Sequence, residues 1–154
     1  MQTRTPEEST VTLHQLMLPE HANTFGNVHG GEIMKLMDEA GAICAMRHAR
    51  HACVTIAIDS MSFHSPVHVG QLLCCRARVT WVGNTSVEVE VNVHAEDVIK
   101  GTVTHTNSGH FVYVALDEER RPTAVPPLLV ESESDRQAFN DAVTRRELRL
   151  STRR

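Results

Sequence analysis

The sequence predicts an α+β domain in which a curved antiparallel sheet wraps around one long central helix. Two observations predict it. The stretch from Gly30 to Arg47 or Arg50 contains no proline and carries apolar residues around much of its circumference. One strand-like segment precedes it and four follow. A helix that apolar must be covered, and a strongly bent sheet can cover it.

The elements follow in order. Residues before Glu8 read as a frayed tail. Thr10–Leu18 is apolar and β-branched enough for a strand, closed by Pro19. Glu20–His29 is a polar loop punctuated by the turn formers Asn23, Gly26 and Asn27. The long helix comes next, with basic residues in its last turns. Cys53–Met61 alternates Val54, Ile56 and Ile58 against Thr55, Ala57 and Asp59. Leu72–Val82 sets Ala77, Val79 and Trp81 against Arg76, Arg78 and Thr80. Alternation is cleanest over Thr85–Val93, where Val87, Val89, Val91 and Val93 oppose Ser86, Glu88, Glu90 and Asn92. Gly83-Asn84 between the last two reads as a hairpin turn. Thr102–Leu116 is the final strand, with a bulge expected near Ser108-Gly109. Pro122, Pro126 and Pro127 then end a domain spanning residues 9–127. The remaining tail, residues 128–154, holds a surface helix over Glu131–Leu150, with Ser132 or Ser134 as its N-cap.

At 154 residues the chain is one ordinary domain, large enough to bury a core unaided. Its net charge of −4, with no basic stripe, disfavours nucleic acid as a partner. No stretch approaches a membrane span and the N-terminus is not signal-like, so a cytoplasmic location is expected. Cysteines 44, 53, 74 and 75 are expected to be reduced. Cys44 lies on the apolar stripe Ile33, Met37, Ala40 and Cys44, which marks it as a packed thiol rather than a nucleophile. The pairs His48/His51 and His64/His68 lack an acid or Cys at ligand spacing, so no metal site is expected.

The chemistry concentrates in Gly26-Asn27-Val28-His29-Gly30-Gly31 and the helix it opens. Paired glycines at a helix start allow close approach to free N–H groups, where the helix dipole favours developing negative charge. Asp38 lies further along the helix with Gly41, Ala42 and Ala45 at i+3, i+4 and i+7. These small residues leave room beside its carboxylate, and an acid facing such a niche suits acyl transfer. Glu39 lies about 100° around the helix and cannot share that role.

The run GNVHGGEIMKLMDEAGA, then Phe63-His64-Ser65-Pro66-Val67 and Gly83-Asn84-Thr85-Ser86-Val87-Glu88-Val89, resembles the acyl-CoA thioesterases of the hotdog fold. The likeness is to their bacterial short-chain-type and mammalian brain-type cytosolic members, and it covers Thr10–Pro127. It implies hydrolysis of acyl-CoA to fatty acid and coenzyme A, with coenzyme A as part of the substrate and no separate cofactor. The family's helix carboxylate falls on Asp38, as general base or nucleophile, and its loop Asn or Asp on Asn27. Gly30 and Gly31 would bind the thioester oxyanion, and His29 would either donate to the carbonyl or pack in the loop. The resemblance also implies a homo-oligomer, a trimer of hotdog dimers, with Asn27 of one subunit facing Asp38 of the next. Coenzyme A would draw on Arg76, Arg78 and Lys100, on the turn Asn84, Thr85 and Ser86, and on Arg47 and Arg50 at the helix end. Two other readings stand beside it: a hydratase or dehydratase of acyl thioesters, which wants an Asp–His dyad, and a non-catalytic acyl-CoA sensor. Acyl-chain length is not written in the sequence, because Met34, Met37 and Met61 pack adaptably.

Overall fold

The computed structural model describes residues 1–152. Its elements are α1 (Pro6–Ser9), β1 (Val11–Leu16), a 3-10 turn (Pro19–His21), α2 (Gly30–Ala49), β2 (Ala52–Phe63), β3 (Leu72–Val82), β4 (Ser86–Asp97), β5 (Thr102–Leu116) and α3 (Glu133–Ser151). The five strands form one antiparallel sheet in the order β1-β3-β4-β5-β2, leaving β1 and β2 as its edges. Its inner face and α2 share one core, built from Ile33, Met37, Ala40 and Cys44 of the helix and from Ala77, Val79, Val89, Val91, Phe111 and Tyr113 of the strands. That is the wrapped-helix architecture expected, and Glu39 is exposed.

The first residues are more ordered than expected. Arg4 forms a β-bridge with Leu128, and Pro6–Ser9 is a single capped turn in which Glu8 accepts the Thr5 N–H. Helix α2 ends where Arg50 turns left-handed and its N–H caps Met46.

Register breaks fall at Thr55/Ala57 and Asp59/Ser62 of β2, Val79/Trp81 of β3 and Val93/His94 of β4. The break expected near Ser108-Gly109 lies slightly earlier, at Thr106. The first matters most. With Ile56 unpaired, Thr55 stays opposite Tyr113 while Ala57 moves opposite Val112.

Helix α3 is polar and lies on the outer face of the sheet, with Ala142 as its buried residue. Ser132 is its N-cap, accepting the Asp135 N–H at 3.1 Å. It is fastened through arginines. Arg145 grips the buried Glu88 with two hydrogen bonds, Arg149 pairs with Asp59, and Arg146 lies over the Trp81 ring.

Candidate functional site

Asp38 sits in the third turn of α2, facing β2 and β5. The Thr55 hydroxyl donates to its Oδ1 at 2.8 Å. The Tyr113 hydroxyl donates to the same oxygen at 2.9 Å and reaches the Asp38 carbonyl at 3.1 Å. Burial, and then the neighbouring Asp38 carboxylate, pushes the Tyr113 phenol well above its ordinary range. Tyr113 therefore stays a donor throughout the working pH range.

This corrects the reading of Gly41, one of Asp38's three small neighbours. Gly41 does make room, but the Tyr113 hydroxyl fills it. The space beside Gly41 holds a hydrogen-bond donor to Asp38. Neither Thr55 nor Tyr113 stood out in the sequence, because strand alternation marks a face and not a partner.

The glycine-rich segment lies about 12 Å away along the same helix, eight residues at 1.5 Å each. His29 is the N-cap, and its Nδ1 accepts the Gly31 N–H at 2.9 Å. An imidazole that accepts at Nδ1 carries its hydrogen on Nε2, which leaves His29 an outward donor. Gly31's N–H is thus taken, and Gly30's is without a partner among the described residues. Beside it runs a cleft of about 380 Å³ lined by Asn23, Asn27, Gly30, Ile33, Phe63 and Val67, among others. The Asn23 Oδ1 accepts the N–H groups of Phe25 at 2.9 Å and Asn27 at 3.2 Å. Its amide nitrogen is thereby aimed, ready to donate. The Asn27 side chain makes no hydrogen bond among the described residues.

The chain thus presents two half-sites: loop plus helix start, and the carboxylate with its two hydroxyls. It does not bring Asn27, His29, Gly30 or Gly31 to its own Asp38.

The coenzyme A candidates do not converge either. Arg78 is committed to Glu7 and Asp135, tying α1 and α3 to the outer face of the sheet. Arg76 alternates onto that same face, away from α2. Asn84, Thr85 and Ser86 turn their carbonyls to the Val125, Ala115 and Gly83 N–H groups, so this turn clamps its own chain. Lys100 lies in the turn after β4, at the far end of that strand from Ser86. The histidine pairs are separately engaged: His48 on the Pro126 carbonyl, His64 on Ser62.

Cys44 is packed as expected. Burial pushes the Cys44 and Cys75 thiols up to about 12 and that of Cys53 to about 11.

Residues 25–111 match the thioesterase superfamily. The chain is 33% identical over 153 residues to the uncharacterized acyl-CoA thioester hydrolase YkhA of Bacillus subtilis, covering 99% of this chain and 89% of that one. It superposes on an apo-hexameric acyl-CoA thioesterase with a TM-score of 0.93 at 35% identity, covering 98% and 97% of the two chains. It also superposes on the Staphylococcus aureus acyl-CoA hydrolase bound to butyryl coenzyme A and coenzyme A, with a TM-score of 0.89 at 30% identity over 97% and 91%. Variants of that enzyme with alanine for an asparagine, an aspartate and a threonine are similar in fold.

Proposed function

The chain belongs to the thioesterase superfamily, and from that premise we propose that it hydrolyses acyl-CoA thioesters to the free acid and coenzyme A. The observation that carries the reading is the Asp38 carboxylate, anchored through one oxygen by two hydroxyls and left open at the other. Asp38 acts as the general base. It takes a proton from water as the water oxygen attacks the thioester carbonyl carbon. The carbonyl electrons move onto oxygen, where the Gly30 N–H at the positive end of α2 stabilises them. Collapse reforms the carbonyl and breaks the C–S bond, and the departing thiolate takes up the proton. In this reading His29 Nε2–H lies beside the same helix start as a second donor.

The loop asparagine of the reaction is Asn23 rather than Asn27. Asn23 and Asp38 are as far apart in sequence as the asparagine and aspartate substituted in the S. aureus enzyme. Asp38 and Thr55 are likewise as far apart as its aspartate and threonine. The hydrogen bonds agree, since Asn23 is the residue whose amide is aimed.

The two half-sites meet between chains. Edge strand β2 exposes Val54, Ile56, Ile58 and Phe63 at 44%, 53%, 40% and 54%. A long apolar edge of this kind calls for a partner strand. Pairing β2 with β2 of a second copy covers it and brings the loop of one chain to Asp38 of the other. The hexamer described for a similar structure supports a trimer of such dimers. Asp38's partners are hydroxyls rather than an imidazole, which favours hydrolysis over a hydratase dyad.

The reading is tested by measuring thiol release from acyl-CoA substrates of increasing chain length, with wild type and Asp38→Asn in parallel. Turnover by wild type and a loss of ~10²–10⁴ in the variant are expected. Equal rates in the two would reject it.

A further inference from the structure

Tyr113 is the only tyrosine in the chain. It sits on the inner face of β5, two residues beyond Phe111, and both rings are fully buried and stacked with centroids 6.4 Å apart. A phenylalanine thus fits this face, and the hydroxyl adds nothing to apolar burial. Burying a hydroxyl costs free energy unless it finds a partner. Here the partner is Asp38, and the main chain is shaped to admit it: Gly41, one helical turn on, leaves the hydroxyl the space that any Cβ would take. On the opposite side β2 carries Thr55, paired in register with Tyr113. Three elements therefore converge on one carboxylate oxygen.

We propose that Tyr113 is a positioning residue for the hydrolytic reaction: its hydroxyl, with that of Thr55, fixes Asp38 through Oδ1, so that Oδ2 is the oxygen that acts on water. The inference rests on the reading of Asp38 as the base. Oδ2 has no hydrogen-bond partner among the described residues. A carboxylate held by one hydroxyl can swing about χ2, exchanging its two oxygens. Two donors from paired strands, one of them rigid and buried, stop that exchange.

The test uses the whole oligomeric protein and compares wild type, Tyr113→Phe and Asp38→Asn. Tyr113→Phe should lower kcat about tenfold to a hundredfold, the worth of one hydrogen bond to a charged group. KM should stay within about twofold, because substrate does not touch the hydroxyl. A second measurement leaves the fold untouched. Growth on 3-fluorotyrosine labels position 113 alone, and its fluorine resonance should move when Asp38 is replaced by Asn, because the hydroxyl beside the label bonds to that carboxylate. If Tyr113→Phe retains full kcat while Asp38→Asn is inactive, the positioning role is overturned and the base assignment stands. If Asp38→Asn itself turns over normally, the base assignment fails first. Should Tyr113→Phe not fold, the fluorine resonance decides: one that stays unmoved in Asp38→Asn overturns the proposal.

Discussion

Gly41 and Tyr113 share one volume. A Cβ on the glycine would overlap the tyrosine hydroxyl, so the helix and the strand fit together only because residue 41 has no side chain. The same contact that packs α2 against β5 delivers a hydrogen-bond donor to Asp38.

The first prediction follows. Gly41→Ala should destabilise the protein by about 1–3 kcal/mol, the usual cost of overpacking. The double variant Gly41→Ala/Tyr113→Phe should cost less than the two single changes summed, because the nearest atom in the way is gone. Urea midpoints of the four proteins measure the coupling.

Cys44 should be dispensable for chemistry. Its thiol is fully buried and pushed up to about 12, so almost none is thiolate at neutral pH. Cys44→Ala should keep kcat within about threefold, at a stability cost of about 1 kcal/mol from the small cavity. A hundredfold loss in a folded variant would restore the nucleophilic cysteine.

His48 should make stability fall in acid. Its Nε2 donates to the Pro126 carbonyl at 2.7 Å, while its Nδ1 is buried with no partner among the described residues. Burial lowers its pKa, the Pro126 bond opposes this, and Arg4 and Glu8 add smaller opposing effects. The unfolded chain takes up its proton near pH 6.5, the folded chain only below that. His48 thus contributes its full stability above about pH 6.5 and loses it as pH falls, by at most about 1.4 kcal/mol per pH unit. His48→Gln keeps a donor for Pro126 and should flatten that part of the curve, read as urea midpoints between pH 5 and 8.

The buried pair Arg145–Glu88 should be costly to break and cheap to replace. Glu88 is 2% exposed and also accepts from Thr80 at 2.6 Å. Arg145→Met strands that carboxylate and should cost about 3 kcal/mol, whereas Arg145→Met with Glu88→Gln should cost much less. Both α3 variants should retain turnover, since the pair lies on the outer face of the sheet.

Much of the fold was legible because burial writes a period into the chain. The Val87–Val93 alternation and the stripe Ile33, Met37, Ala40, Cys44 each mark an inner face, and each proved buried. The candidate site was legible only in part. Asp38 and the glycines are local features, but Thr55 reaches Asp38 through a register set by the unpaired Ile56. Tyr113 arrives from 75 residues away. Gly41 looked like room for substrate because a missing side chain does not say what fills its place. Arg78 looked like a free cation because its two carboxylates come from opposite ends of the chain.

The central claim is that each site takes its loop asparagine from one chain and its carboxylate from another. Mixing separately inactive Asn23→Ala and Asp38→Asn proteins, unfolding and refolding them together, tests it directly. In a mixed dimer one site then carries both changes and the other carries neither. Half the dimers of an equal mixture are mixed, so thiol release should return to roughly a quarter of the wild-type rate. Activity no greater than the sum of the two inactive parents, with subunit exchange verified by mass spectrometry of the native oligomer, would contradict the claim.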